Sequence, residues 1–271
     1  MTSWLDIRRG EAPLVVAFPH TGTDLADTGG AFRSQWSARR DTDWWVDQLY
    51  DFATELCATT IRTAISRSVI DVNRDPSGKP LYPGQATTEL CPTTTFDGEP
   101  LYRDATPDHA EIARRRSLWF DPYHAAIESE IARLRTIHRR VVVYDAHSIR
   151  STVPRLFDGE LPHFNIGTND GQACAPDLTN DIVNAVTGHY AQNWSLVING
   201  RFKGGWTTRN YGRPETGVHA IQMELAMRSY LKEPAAVDEA NWPQPLDKAR
   251  TSDITPILRD ILAACIAFAT S

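Results

Sequence analysis

The chain has 271 residues, of which 41% are hydrophobic and 23% charged, and it carries a formal net charge of −6 at pH 7. That length is enough for one large α/β domain with a sizeable buried core, and the composition is ordinary for a globular protein. The acidic balance argues against a nucleic-acid-binding surface, which is expected to be basic, although arginines gathered locally could still bind a small anion.

The four cysteines are far apart in the chain and include no C-x-x-C pair, which favours reduced thiols over a disulfide framework or a thiolate zinc site. The N-terminus, MTSWLDIRRGEAP, lacks a basic start followed by an apolar stretch, so no signal peptide is predicted. No apolar run approaches the roughly 20 residues that span a bilayer. The longest run, residues 261–268, predicts a buried C-terminal helix. We therefore expect a single domain over residues 1–271, located in the cytoplasm and without a membrane partner.

The first strand and the first helix are predicted near the N-terminus. Residues 13–18, PLVVAF, form a short apolar run, and the turn after them leaves His20 exposed at the carboxyl end of this strand. Residues 41–43, DTD, then open a helical pattern that continues to Leu56. Because Asp and Thr are typical of helix N-caps and first turns, Asp43 is at its simplest a helix-start carboxylate.

A long segment rich in Pro and Gly follows the second predicted strand. The strand is predicted at 59–65, and the loop extends to about residue 100. Loops of this length in compact domains are usually functional or disordered. Because the loop begins with Arg67, Asn73 and Arg74, we expect it to bind substrate.

Residues 107–138 are charged and carry apolar residues at helical spacing, so they predict one or two surface helices. His109, His124 and His138 lie among charged neighbours in this segment, and we expect all three to be solvated.

The most apolar stretch of the chain begins the segment 141–148, VVVYDAHS. Its first four residues suit a strand that is covered on both faces, and the run then changes abruptly to Asp145, His147 and Ser148. In an open α/β sheet, ligands bind just beyond the carboxyl ends of the strands, so these polar residues are placed for chemistry. A hydrogen-bonded loop histidine is the alternative interpretation of His147.

Strands and helices continue to alternate in the second half of the chain. A Gly-rich segment at 204–209, which contains Thr207, is expected to be a mobile or ligand-approaching loop. Residues 219–225 alternate polar and apolar side chains and predict a strand with one apolar face. The remaining predicted elements are strands at 163–167 and 196–198 and helices at 176–190 and from about residue 245 onward. This alternation predicts a three-layer α/β/α fold with a mixed, mostly parallel sheet.

Two histidines at the ends of separate strands, His20 and His147, form a plausible catalytic zinc set together with Asp43. Such sites use three nitrogen or oxygen ligands and keep one position for water, whose pKa the metal lowers toward about 7. Asp145 could hold the second ring nitrogen of a ligand histidine, as is usual around bound metals, and direct metal ligation is the alternative role for it. A further carboxylate is then needed to transfer protons. Glu224 is the candidate, because an unpaired carboxylate in its apolar strand would be costly; a salt-bridged structural glutamate is the alternative.

Arg67, Arg74, Arg201 and Arg209 all lie on loops that contain Gly or Asn rather than on helix faces. The arginine fork matches a carboxylate with two parallel hydrogen bonds, so converging loops of this kind would suit a small dicarboxylate; plain surface charge is the alternative.

Other catalytic sets have less support. Ser148 is not in a G-x-S-x-G turn, and no G-x-G-x-x-G or G-x-x-x-x-G-K-[ST] motif occurs.

Six segments of the chain together resemble the N-formylglutamate deformylase family, also called the N-formylglutamate amidohydrolase family. They occur in the family order and span about residues 13–225; each is weak alone, and the combination is specific. The segments are PHTG (19–22), DTDWWVDQLYDF (41–52), VIDVNRDPSG (69–78), VVYDAHS (142–148), NGRFKGGWTTRNYG (199–212) and VHAIQMEL (218–225).

The resemblance implies a zinc-carboxypeptidase-like (phosphorylase/hydrolase-like) fold. It also implies hydrolysis of N-formyl-L-glutamate to L-glutamate and formate, a last step of histidine degradation, with one Zn²⁺ or another divalent metal per chain. In this comparison His20, Asp43 and His147 would be the metal ligands and Glu224 the general base. The His-x-x-Glu spacing of related enzymes is absent, so Asp24 stays open as the acidic ligand.

The Asn73-Arg74 pair matches the pair that grips the substrate carboxylate in related enzymes, and Arg67, Arg201 and Thr207 are expected to assist. Two alternatives remain beside this function. One is a related metal-dependent amidase that acts on another N-acyl amino acid. The other is a non-catalytic carboxylate-binding protein on the same scaffold.

Overall fold

A computed structural model describes residues 4–79, 84, 86–189 and 193–271 of the chain. In this part of the chain, seven strands form one sheet in the order β1-β3-β2-β4-β7-β5-β6. The strands are β1 (Leu5–Arg8), β2 (Leu14–Phe18), β3 (Thr59–Thr63), β4 (Val141–Ile149), β5 (Phe164–Gly167), β6 (Leu196–Ile198) and β7 (Val218–Ala226).

The sheet is mixed and mostly parallel, as predicted. Strand β2 pairs in parallel with β3 and β4, and β4 pairs in parallel with β7. The outer strands include the two antiparallel pairs, β1 with β3 and β5 with β7, while β5 and β6 are parallel. Strands β2, β4 and β7 are therefore neighbours at the centre of the sheet, and their carboxyl ends lie at the same edge.

Helices cover both faces of the sheet. The α-helices are α1 (Val46–Leu49), α2 (His109–Arg115), α3 (Asp121–Arg135), α4 (Pro176–Thr187), α5 (Trp206–Tyr211) and α6 (Lys248–Thr270). A π-helical turn, Arg116–Phe120, joins α2 to α3. Single turns of 3-10 helix lie at Ala26–Ala31, Asp51–Thr54, Pro214–Thr216 and Met227–Ser229.

Alternate side chains of β2 point into two separate hydrophobic cores. Leu14 and Val16 pack in one core with residues of α4 and α6. Val15 and Ala17 pack in the other core with residues of α3. Because successive side chains of a strand face opposite sides, an all-apolar strand requires cover on both faces. The three-layer α/β/α prediction is confirmed, whereas the likeness to zinc carboxypeptidases stays a prediction.

Five local predictions are wrong. His20, predicted to be exposed after the first apolar strand, is buried. The helix predicted from residue 41 is interrupted, because Trp45 adopts a left-handed conformation (φ 65°) and α1 begins only at Val46. The loop predicted at 204–209 is largely helix α5. Strand β4 continues through the polar residues to Ile149 instead of ending before them. His124, predicted to be solvated, is buried on α3 and contacts the Tyr211 hydroxyl at 2.7 Å through Nδ1 and the Val72 carbonyl oxygen at 2.7 Å through Nε2.

Two predictions extend beyond the described residues. The helix predicted at 176–190 is α4, and its predicted last residue, Tyr190, lies outside them, as do residues 80–83 and 85 of the long predicted loop. None of the helices in the described ranges combines the length and apolar character that crossing a membrane would require.

Candidate active site

The candidate site lies over the central strands β2, β4 and β7. His20 follows β2 by two residues, while His147 and Glu224 belong to β4 and β7. His147 and Glu224 are paired directly across the two strands. His20 and His147 are 127 positions apart in the sequence, and Glu224 follows 77 positions later. The fold thus places these side chains together at the edge where open α/β sheets bind ligands.

His20, Asp43 and His147 form a buried group that could bind a metal ion. One candidate ligand atom from each residue lies within 4.8 Å of those of the other two. Nδ1 of His147 is 3.0 Å from Oδ2 of Asp43, and Nδ1 of His20 is 3.7 Å from the same oxygen. Nδ1 of His20 is buried and has no hydrogen-bond partner in the described part of the chain, an arrangement that a metal ion would satisfy. Two imidazole nitrogens and one carboxylate also match the ligands of catalytic zinc sites.

Asp24, the alternative acidic ligand, lies elsewhere. It is exposed, and its Oδ1 accepts a hydrogen bond from the backbone N–H of Ala26. Asp43, by contrast, is buried, and its Oδ2 also accepts the backbone N–H of Ser148 at 3.2 Å. The geometry therefore favours Asp43 over Asp24 as the acidic metal ligand.

A carboxylate holds the other ring nitrogen of each histidine. Nε2 of His20 lies 2.6 Å from Oδ1 of Asp71, and Nε2 of His147 lies 3.0 Å from Oδ2 of Asp145. Each carboxylate favours a proton on Nε2, which leaves Nδ1 as an electron-pair donor on the side of Asp43. Asp145 thus lies where the sequence predicted. Asp71 was missed, although a carboxylate inside the apolar run VIDV was the signal that could have found it.

Asn73 connects several parts of the site. Its Nδ2 donates to Oδ2 of Asp145 at 2.9 Å and lies 2.8 Å from Nε2 of His147. Its Oδ1 accepts the backbone N–H of Thr207 at 2.8 Å. Thr207 therefore reaches the site through its backbone, while its buried hydroxyl has no hydrogen-bond partner among the described residues. Asn73 helps to orient His147 through Asp145 and also lines the pocket beside it, so its predicted role in substrate binding stays a prediction.

Helix α5 approaches Asn73 so closely that its N-cap must be glycine. A Cβ atom on Gly205 would lie 2.4 Å from Nδ2 of Asn73, well inside van der Waals contact. Gly205 and Thr207 belong to the segment that was predicted to be a loop. The Gly-rich sequence there reflects close backbone packing around Asn73.

Hydrogen bonds, neighbouring charges and burial together set the protonation states of the buried site. Burial alone would raise the pKa of Asp43, but the hydrogen bond with His147 and the charge of His20 outweigh it and hold that pKa well below its usual value. Burial would lower the pKa of His147, but Asp145 and Asp43 raise it well above the ordinary value. Burial raises the pKa of Glu224 to about 7, and the negative charge of Asp43 acts in the same direction. A carboxyl group with a pKa near 7 can both accept and donate a proton at neutral pH.

Three of the predicted arginines, Arg67, Arg74 and Arg201, line one pocket with His20, His147 and Glu224. Nη2 of Arg67 is 2.8 Å from Oδ2 of Asp71, and its guanidinium lies over the ring of Phe96 at 4.7 Å. Arg74 donates a hydrogen bond to the backbone carbonyl of Thr88. Arg201 donates to the backbone carbonyls of Leu156 and Ala86. Arg209 is not among the residues that line this pocket, and its Nε donates to the Gly204 carbonyl. The pocket combines positive charge with a possible base and a possible metal site.

Ser148 does not line this pocket. Its Oγ accepts a hydrogen bond from the Tyr230 hydroxyl at 2.7 Å, and its neighbours Tyr144 and Ala146 on the same side of β4 belong to the opposite hydrophobic core. A serine nucleophile at this position has no support from the structure.

Comparisons with known proteins show to which family the chain belongs. The family model described as N-formylglutamate amidohydrolase matches residues 12–231. A protein named N-formylglutamate deformylase from Pseudomonas aeruginosa is 44% identical over 266 residues, which are 97% of each chain. A protein of the same name from Pseudomonas putida is 42% identical over 236 residues, which are 86% of this chain and 87% of the relative.

A solved structure shows the same fold. The crystal structure of N-formylglutamate amidohydrolase from Ralstonia eutropha JMP134 superposes with a TM-score of 0.78 and 24% sequence identity, covering 98% of this chain and 96% of that one. The family match covers most of the sequence and contains every predicted site residue. The chain belongs to the N-formylglutamate amidohydrolase family.

Proposed function

We propose that this protein hydrolyses N-formyl-L-glutamate to L-glutamate and formate. The observation that carries the proposal is the pairing of Glu224 with His147 across β4 and β7, beside His20 and Asp43 and in a pocket lined by three arginines. The names of the two Pseudomonas relatives support the choice of substrate. The expected location in the cytoplasm stays a prediction.

His20, Asp43 and His147 would hold one Zn²⁺ ion in this proposal. The orphaned Nδ1 of His20 and the two histidine–carboxylate pairs support that assignment. Zinc held by these groups would supply a Lewis acid that polarises the formyl carbonyl and lowers the pKa of water toward about 7.

Arginines would bind the two carboxylates of the substrate. Arg74 and Arg201 line the pocket from different segments of the chain, and each is anchored to backbone carbonyls, so their guanidinium groups are already oriented before substrate arrives. Arg67 lies closest to the metal-binding group, at 3.4 Å from Oδ1 of Asp43. Its charge would stabilise the negative oxygen that develops on the formyl group.

Glu224 would transfer the proton. As a carboxylate it would take a proton from the attacking water, and it would then deliver this proton to the leaving amine of glutamate. Its burial and its pKa of about 7 suit both steps, because neither direction of transfer faces a large free-energy difference near neutral pH.

A substrate panel tests the proposed function. We expect formyl-L-glutamate to be hydrolysed with the highest kcat/KM among the formyl, acetyl and carbamoyl derivatives of glutamate and aspartate. A preference for a different acyl group or amino acid would instead assign the chain to a related amidase. Absence of turnover with every compound, together with saturable glutamate binding, would identify a carboxylate-binding protein.

Zinc content tests the ligand set. We expect about one zinc per chain in the wild type and in Asp24→Ala, and a large loss in Asp43→Ala. Thermal unfolding of each variant separates loss of metal from loss of fold. Glu224→Gln should keep its zinc while kcat falls by about 10²- to 10⁴-fold, the usual contribution of a general base. Retention of wild-type turnover in Glu224→Gln would remove that residue from its proposed role.

A further inference from the structure

A buried glutamine two residues before Glu224 contacts its carboxylate. Gln222 lies on the same face of β7 as Glu224, and both side chains are buried. Nε2 of Gln222 donates to Oε2 of Glu224 at 3.0 Å. Among the described residues, no other side chain or backbone group within hydrogen-bonding distance reaches this carboxylate. The orientation of Glu224 therefore depends on one partner.

The amide of Gln222 can adopt only one of its two orientations. Its Oε1 accepts the backbone N–H of Gly205 at 2.7 Å. A backbone N–H can only donate, so the amide atom that faces it must be the oxygen. Nε2, which is a donor, is then directed at Glu224 and cannot exchange places with Oε1 without breaking both hydrogen bonds. The backbone N–H of Gly205 therefore fixes the orientation of the Gln222 amide.

Gln222 also connects the two halves of the site. Gly205, which it binds, is the N-cap of α5, and the next two residues of this helix donate backbone N–H groups to Asn73. Asn73 in turn contacts Asp145 and lies 2.8 Å from His147. A continuous series of buried hydrogen bonds thus runs from the candidate base through α5 to a candidate metal ligand.

We propose that Gln222 is a positioning residue that holds the Glu224 carboxylate in the orientation needed for proton transfer. Gln222 contacts only Oε2 of Glu224, and Oε1 is the oxygen that exchanges protons with water and the leaving amine. A glutamate side chain has three rotatable torsions, and losing this hydrogen bond would allow the carboxylate to leave its reactive position. The inference rests on the proposed role of Glu224 and adds a residue that acts through the Glu224 carboxylate, while Gln222 itself also lines the pocket.

A double-mutant cycle tests this inference. Gln222→Met keeps the volume of the side chain and removes both hydrogen bonds. We expect kcat to fall on the order of 10- to 100-fold with KM nearly unchanged, because misplacement of a catalytic group by about 1 Å costs rates of this size. In the Glu224→Gln background the same substitution should lower kcat by less than about 2-fold, since its effect passes through the Glu224 carboxylate.

Asn165→Leu is the matched control. Asn165 is a buried amide on β5 that donates to the backbone carbonyl of Glu224 at 3.0 Å and does not contact its side chain. Its substitution should destabilise the fold without selective coupling to Glu224→Gln. Equal coupling of Asn165 and Gln222 to Glu224→Gln, or additive effects of Gln222→Met, would show that Gln222 has only a structural role.

A crystal structure of Gln222→Met provides a readout that needs no activity. We expect the Glu224 carboxylate to occupy more than one position while the α5 backbone stays folded, and an unchanged carboxylate would overturn the inference. The kinetic cycle can use any N-acyl amino acid that the wild type hydrolyses. A different preferred substrate would therefore contradict the proposed function and leave the result for Gln222 standing.

Discussion

Nε2 of His20 lies 2.6 Å from Oδ1 of Asp71, and both side chains are buried. Asp71 also binds Nη2 of Arg67 at 2.8 Å and accepts the backbone N–H of Asn73 at 2.9 Å. Burial alone would raise the pKa of this carboxyl, but the charges of His20, Arg74 and Arg67 hold it well below its usual value. The Asp71 carboxyl is therefore ionised near neutral pH, and it orients the His20 ring through Nε2.

Removing this charge should weaken metal binding. We expect Asp71→Asn to lower the affinity for zinc by about 10- to 100-fold, the usual effect of losing such a partner of a ligand histidine. Competition with a chromogenic chelator measures the change. Asp75→Asn, in the same loop, is the control, because the Asp75 side chain accepts the backbone N–H of Ser77 and contacts none of the candidate metal ligands, so the affinity should stay unchanged. Equal affinities of wild type and Asp71→Asn would contradict the assigned role.

A methyl group added at Gly205, the N-cap of α5, should disturb the candidate metal site through Asn73. Gly205→Ala would place Cβ 2.4 Å from Nδ2 of Asn73, so Asn73 must move away from His147 and Asp145. We expect a destabilisation of about 1–3 kcal/mol, typical of overpacking, together with weaker zinc binding. Urea unfolding and chelator competition test the two effects. Gly30→Ala, whose Cβ would meet no atom within 4 Å, should be close to neutral in both experiments.

The aromatic cover of Arg67 should contribute to catalysis. Phe96 lies 4.7 Å from the Arg67 guanidinium, and the backbone N–H of Phe96 is held by Asp41 at 2.7 Å. Phe96→Leu removes a cation–π contact worth about 0.5–2 kcal/mol, so we expect kcat for formylglutamate to fall by about 2- to 30-fold. Phe157→Leu is the control, since Phe157 packs nearby without lining the pocket. An identical kcat in both variants would show that Phe96 does not support Arg67.

His124 should make the fold sensitive to acid. Burial lowers its pKa to about 4 from an ordinary value near 6.5. Between these two values the unfolded chain binds a proton that the folded chain does not, so stability falls as the pH falls from about 6.5 to about 4. The full loss from this one group is about 3 kcal/mol.

Unfolding by urea at several pH values measures this contribution. We expect His124→Gln, which retains hydrogen-bonding groups but cannot be protonated, to lose less stability on acidification than the wild type. Parallel stability curves for the two proteins would show that His124 does not account for the acid sensitivity.

Local patterns were sufficient for the layers of the fold and for several site residues. The apolar runs at 14–18 and 141–144 predict strands covered on both faces, because no other placement would bury every side chain. His20 could be recognised as a polar residue just after the first apolar run. Glu224 could be recognised as a charged residue inside the strand predicted at 219–225. The predicted helix start at residues 41–43 is wrong, because Trp45 is left-handed and α1 begins at Val46. The Asp43 carboxylate lies instead beside the two histidines.

The amino-acid sequence by itself determined which segments are buried, which residues could bind a metal or a carboxylate, and which family the chain resembles. Only the tertiary structure decided how they combine: Asp43 instead of Asp24 beside the histidines, Asp71 behind His20, and Gln222 between Glu224 and α5. The physical reason is that hydrophobic patterning is a local property of the chain, with a period of 2 or 3.6 residues. Hydrogen bonds between distant segments depend instead on strand order and register, which no local pattern contains.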